Sequence, residues 1–214
     1  MKHEIGAQKP EHFKEEWPGQ YEFFSHFEYT AGLPQALCLI TTKKENGKAN
    51  ACFHAWQCFA GDCAAYHAVV AGLSLNGHTY QNMLREKEFC INFLSAAHYD
   101  ACIKTIEENG AESDELLSAG LTVEEAKAVS APRVKEAFLT LECAFVSAQD
   151  LSGKGMIALV VGRVLHASSE DGFHTLDKIC SPEGFMFNVH TPKNPATGEG
   201  SITAVAALKA EKYV

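Results

Sequence analysis

The sequence predicts a mainly β protein, a β-barrel with helical insertions, and three observations point to that class. Asn46-Gly47 separates two apolar runs, the strongest short-range hairpin signal there is. Further apolar runs of strand length recur along the chain, bounded by turn residues. The helix-like stretches between them are few and short, so a closed or nearly closed sheet is the natural way to leave few exposed edges.

The elements follow in order. Leu37–Thr42 reads as a strand and Lys44–Gly47 as its turn. Lys48–Trp56 is the partner strand, with Asn50, Cys52, His54 and Trp56 on one face and Ala49, Ala51, Phe53 and Ala55 on the other. Gly61-Asp62 reads as a second turn before a strand over Cys63–Val70, giving a three-stranded antiparallel meander. Residues 71–78 form a loop, and Thr79 is the expected N-cap of a short helix over Tyr80–Arg85. Phe89–Leu94 returns to strand, and Ser95 is expected to cap a helix running to about Asn109, stopped by Gly110. Residues 111–130 are small, acidic and helix-prone, with a capping-box pattern at Thr122 and Glu125. Strands over Ala137–Ala148 and Met156–Ala167, joined by a turn at 152–155, complete a count of about six.

Length and composition suit one domain with a full core, or one domain plus a small appendage. A formal charge of −9 argues against nucleic acid or an anionic membrane surface as the main partner. The polar first twenty residues and the shortness of the aliphatic runs predict a cytoplasmic protein without a membrane partner. The eight cysteines sit mostly in strand-like runs and include no CxxC, which favours reduced, packed thiols.

Two regions carry candidate chemistry. Cys52, His54, Cys58, Cys63 and His67 crowd a short stretch, and a metal module is one reading, although the spacing matches no standard zinc site. The other reading makes these strands the walls of a cofactor slot. Ser74, Asn76, His78 and Thr79 then lie just ahead of a helix start, where free amides and the helix dipole favour a phosphate. His78, Arg85 and Lys104 are the nearby cationic candidates. No convincing nucleophile or acid–base pair is found, so the catalytic residues stay unassigned.

The order LITT, NGKANA, Trp56, HTYQNM and EFCINF, followed by APRVKEAFLTLECAF and GRVLHA, resembles the flavin reductase-like, FMN-binding split-barrel family, close to the flavoredoxins. The resemblance covers residues 30–167 and implies an FMN-binding split-barrel domain there, flanked by an N-terminal extension (1–29) and a C-terminal extension (168–214) packing on the barrel or on the dimer partner. It further implies a homodimer and an oxidoreductase that moves electrons from NAD(P)H to flavin or onward. The alternative is a flavoredoxin-type carrier fed by a redox protein partner. Related barrels holding haem or pyridoxal phosphate are a further alternative. By resemblance, Asn50, Cys52 and Trp56 line the isoalloxazine. Ser74, Asn76, His78 and Thr79 hold the ribityl and phosphate groups, Asn92 backs the pocket, and Lys104 is a further contact. His190 and Lys193 lie in a Pro-rich loop that could cover a partner's flavin. Relatives carry Asp-Lys-Phe where this chain has Asp114-Glu115-Leu116, so the contact that lysine makes is open here.

Overall fold

The first hairpin forms where its sequence signal lies, and the rest of the sheet grows outward from it. A computed structural model describes residues 4, 6–15, 17–23, 32–190, 194, 196–200 and 203–211, with the side chains of His190 and Thr203 excepted. Lys193 therefore lies outside the described residues. The chain divides into two units, Met1–Gln35 with Phe187–Ala206, and Ala36–Met186 with Ala207–Val214.

In chain order the elements begin with α1 (Gln20–Phe23), β1 (Gln35–Ala36), β2 (Cys38–Lys43), β3 (Ala49–His54), β4 (Gln57–Asp62) and β5 (Ala65–Ser74). Next come α2 (His78–Glu86), β6 (Glu88–Phe93), α3 (Tyr99–Glu107), α4 (Glu115–Ala119), β7 (Val123–Glu124) and β8 (Arg133–Val134). The long strands β9 (Leu139–Asp150) and β10 (Ile157–Ser169) follow, then α5 (Leu176–Ile179), β11 (Met186–His190) and β12 (Thr203–Ala207). The order β1-β11-β12 makes a small three-stranded sheet, and β7 pairs with β8.

The main sheet has seven strands in the order β3-β2-β6-β9-β10-β5-β4, each neighbouring pair whose register is described being antiparallel. Its two outermost strands, β3 and β4, are joined by Ala55 and Trp56 alone. A sheet whose far edges are two residues apart in the chain must curl on itself. The junction is pinned where the Trp56 carbonyl accepts the Ala71 amide at 2.9 Å and the His54 ring Nε2 reaches the Ala71 carbonyl at 2.8 Å. The result is a mainly β split barrel.

This closure corrects the expected meander. The stretch read as one strand to Trp56 breaks there, because Trp56 takes a φ of 59°, a left-handed conformation rare for a bulky residue. A separate strand, β4, then runs through Gly61-Asp62, and the turn falls at Cys63, whose φ is 51°. Strand β5 extends to Ser74, through residues expected as loop. It pairs with β4 and β10, and β3 pairs with β2.

Other boundaries moved for local reasons. Helix α2 starts at His78 with Gly77 as N-cap. The expected cap, Thr79, instead accepts a 2.9 Å hydrogen bond from the Asn50 side chain. Ser95 leads into one 3₁₀ turn at Ala96–His98 before α3. Asp114 caps α4 by accepting the Leu117 amide at 3.0 Å, and Gly120 ends it in the left-handed region. Thr122 starts no helix, because Glu136 captures its amide at 3.1 Å and Val123–Glu124 pairs with Arg133–Val134.

The barrel interior is packed by Ile40, Val70, Met83, Phe89, Ile91, Leu141, Cys143 and Val160. Cys38, Cys90 and Cys102 are also buried, and all eight cysteines are free thiols. Burial pushes the Cys102 and Cys143 thiols up to about 12, so they behave as small apolar side chains.

Candidate functional site

A cavity of about 150 Å³ opens where β3, the end of β5, the start of α2 and α3 converge. Asn50, Ala51 and Cys52 form its strand wall, Ser74, Gly77, His78 and Thr79 its loop and helix-start wall, and Thr105 and Asn109 its α3 side. Glu115 closes it from α4.

The helix-start wall has the chemistry of an anion site. Gly77 has no side chain with which to cap α2, so no side-chain hydrogen bond meets the first amides of this nine-residue helix. Those amides and the positive end of the dipole lie at the cavity wall beside the Ser74 hydroxyl and the His78 ring. His78 Nδ1 is held 3.0 Å from the Asn109 carboxamide oxygen, so that nitrogen donates and orients the ring.

The strand wall is more constrained. Asn50 is 1% exposed and donates its amide to Thr79, tying β3 to α2. Cys52 is partly exposed to the cavity. Burial pushes its thiol up to about 11, opposed by the neighbouring Thr79 hydroxyl and reinforced by the Glu115 carboxylate. It is therefore a protonated thiol at neutral pH and a poor nucleophile.

Glu115 is the least expected lining residue. Its carboxylate is 1% exposed, accepts the Ala51 amide at 2.6 Å, and lies 2.8 Å from the Lys44 ammonium. Lys44 is itself 6% exposed, and its other protons go to the carbonyls of Gly110 and Ser113 at 2.6 and 2.8 Å. The two charges thus neutralise one another: Oε2 takes the Ala51 amide, and Oε1 has the Lys44 ammonium as its counter-charge. The pair bolts the 110–115 segment to the β2–β3 hairpin and sets the cavity's floor.

Of the residues expected to form the site, Asn50, Cys52, Ser74, His78 and Thr79 meet at this cavity. Asn76 sits exposed at the tip of the preceding turn. Trp56 packs elsewhere: its ring covers Gly72, where an added Cβ would sit 2.4 Å from Trp56 Cε3. Asn92 is fully buried, donating to the Leu39 carbonyl and the Thr41 hydroxyl and accepting from the Val134 amide and the Thr140 hydroxyl. All its polar capacity is used, which makes it a tie between strands β2, β6 and β9. Lys104 and Arg85 are outside the cavity; Lys104 is exposed in the last turn of α3, and Arg85 lies two turns along α2. Sequence reading missed Thr105, Asn109 and Glu115, although the altered Asp-Lys-Phe position had marked Glu115. Among the described residues, no group of three or more His, Cys, Asp or Glu could hold a metal ion, and His54 is turned to the Ala71 carbonyl.

The main sheet and its helical insertions define a mainly β split barrel, with the uncapped start of α2 at the wall of one cavity. A sequence model of the flavin reductase like domain matches residues 30–178, and the chain belongs to that family. Solved structures agree on the fold. Nitrilotriacetate monooxygenase component B from Bacillus cereus superposes with a TM-score of 0.72 at 16% identity, covering 99% of this chain and 100% of that one. A protein with a split barrel domain from Shewanella frigidimarina NCIMB 400 gives 0.72 at 17% identity, over 89% and 90% of the two chains. Flavoredoxin from Methanosarcina acetivorans gives 0.68 at 18% identity, over 85% and 88%. An uncharacterized protein of Aquifex aeolicus (strain VF5) is 43% identical over 65 residues, which span 30% of this chain and 33% of that protein.

Proposed function

We propose that the protein binds FMN and acts as an oxidoreductase, drawing electrons from NAD(P)H and passing them to a further acceptor. The observation that carries this reading is the uncapped start of α2 facing Asn50, Ala51 and Cys52 across one cavity. Bound FMN would supply a ring that accepts and releases electrons. The chain's part is to hold it. The α2 amides, Ser74 and His78 would take the phosphate, and the edge of β3 would meet the polar rim of the ring.

A volume of about 150 Å³ is below the ~300–1,000 Å³ common for cofactor sites, so one chain supplies only part of the enclosure. A second copy supplying the rest accords with the apolar outer face of the barrel, where Cys58, Val69 and Val161 stand in register across β4, β5 and β10. We therefore read the working form as a cytoplasmic homodimer. No helix among the described residues is long and apolar enough to cross a membrane.

Equilibrium dialysis against FMN tests the cofactor: uptake near one per chain is expected, and none refutes the reading. Anaerobic addition of NADH or NADPH then separates the two electron routes. Rapid bleaching of the bound flavin marks a reductase, whereas bleaching only by a reduced protein donor marks a flavoredoxin-type carrier.

A further inference from the structure

A cavity of about 400 Å³, within the size range of small-ligand pockets, shares no lining residue with the cavity at the start of α2. One wall is the β2–β3 hairpin with Lys43 and Ala49, and the other is β7 with the segment that follows it. On that second wall Val123, Ala126, Val129 and Pro132 offer an aliphatic surface, Val123 being 49% exposed. Residues 125–132 form no helix or strand, yet two carboxylates of the main sheet fix them in place. Glu142 of β9, fully buried, accepts the Lys127 and Ala128 amides at 2.9 and 2.5 Å. Glu88 of β6 accepts those of Ser130 and Ala131 at 2.6 and 3.1 Å. A wall held this way stands ready before a ligand arrives, so binding loses little to ordering it.

The charged groups of the lining divide into engaged and unengaged. Asp114 accepts the Leu117 amide at 3.0 Å, and Glu124 pairs with Arg133 at 2.8 Å. Lys43 and Glu125, by contrast, make no side-chain hydrogen bond or ion pair among the described residues. Lys43 is half-buried in its wall, and its ammonium has no counter-charge there. The cavity thus presents one free positive group, one free negative group and an aliphatic surface. The carboxylates of Asp114, Glu124 and Glu125 and the chain's net charge of −9 disfavour a polyanion. A polycation would leave Lys43 unpaired, and a hydrocarbon would leave both charges unpaired. A zwitterion with an apolar body satisfies all three features.

We propose that this cavity binds a small apolar α-amino acid, its carboxylate on Lys43, its ammonium on Glu125 and its side chain against Val123, Ala126, Val129 and Pro132. Titration calorimetry of the full chain with L-leucine tests this, with two truncated probes beside it. 4-Methylpentanoate lacks the amine, and 3-methylbutylamine lacks the carboxylate. Saturable leucine binding is expected, and each truncated probe should bind at least about tenfold more weakly, having lost one charge-assisted hydrogen bond. Lys43→Met should weaken leucine by a similar factor while leaving 3-methylbutylamine unchanged. Glu125→Gln should weaken leucine while leaving 4-methylpentanoate unchanged. Lys154→Met removes the same charge from an exposed turn outside the cavity and should change nothing, which separates local pairing from net charge. Circular dichroism and melting check that each variant folds as the wild type does. Leucine that fails to bind, truncated probes that bind as well as leucine, or equal losses in Lys43→Met and Lys154→Met would each overturn the proposal. Flavin enters none of these readouts.

Discussion

His54 shows how one buried side chain makes stability depend on pH. The ring is 7% exposed and donates Nε2–H to the Ala71 carbonyl, which fixes the neutral tautomer with the proton on Nε2. Burial lowers its pKa from 6.5 to about 4, the carbonyl contact opposing only in part. The unfolded chain therefore binds a proton that the native state refuses between these values. The stabilisation is complete above pH 6.5, declines as pH falls towards 4, and totals about 3 kcal/mol. Urea midpoints measured from pH 7 to pH 4 should show that loss, and His54→Gln, which keeps a donor for Ala71, should flatten it. Equal slopes for both proteins would contradict the assignment. Gly72, beside the same junction, gives a second test. It holds a φ of +78°, and a Cβ there would overlap the Trp56 ring. Gly72→Ala should cost about 2–3 kcal/mol through strain and overpacking. In a Trp17→Phe background it should also shift Trp56 emission.

At the scale of elements, what the sequence revealed followed its strongest local signals. The Asn-Gly turn, the FCINF strand and the long pair β9–β10 were legible because apolar patterning and turn chemistry agreed there. Strand β4 was not legible. Its boundary is the left-handed backbone of Trp56, a conformation that a bulky side chain does not advertise in sequence. Thr79 and Thr122 failed as caps for a shared reason: other groups claim their polar atoms or amides, namely Asn50 and Glu136. The cavity's lining was half legible. Asn50 and Cys52 of β3 were marked by the family resemblance, and Ser74, His78 and Thr79 by the helix-start pattern and the resemblance together, whereas Glu115 reaches the cavity only because Lys44, 71 positions earlier, neutralises it. That pair supports a third prediction. Lys44→Met strands a buried carboxylate and frees two carbonyls, so it should cost about 3–5 kcal/mol. Adding Glu115→Leu should recover much of the loss, giving a large coupling energy in a double-mutant cycle by chemical denaturation. Additive losses would mean that the two charges do not act as a pair.

For the whole molecule, charge and apolar surface pull in opposite directions. Each chain carries −9, so two copies repel, and any association must come from buried apolar area. The outer row Cys58, Val69 and Val161 provides such area on the β4–β5–β10 side of the barrel, with Leu159 one pair further along β10. A dimer joined there should tighten as salt rises, because screening weakens the repulsion and leaves the apolar term in place. Light scattering coupled to gel filtration should then show a dimer whose dissociation constant falls between low and physiological salt. Val161→Glu places a charge in the middle of that row and should yield monomers with unchanged circular dichroism. If the second copy also completes the cofactor enclosure, the monomer should lose FMN affinity by at least tenfold, although no residue of the cavity has changed. A wild-type monomer that binds FMN at full strength would show instead that one chain encloses the cofactor unaided, and that the apolar row serves some other end.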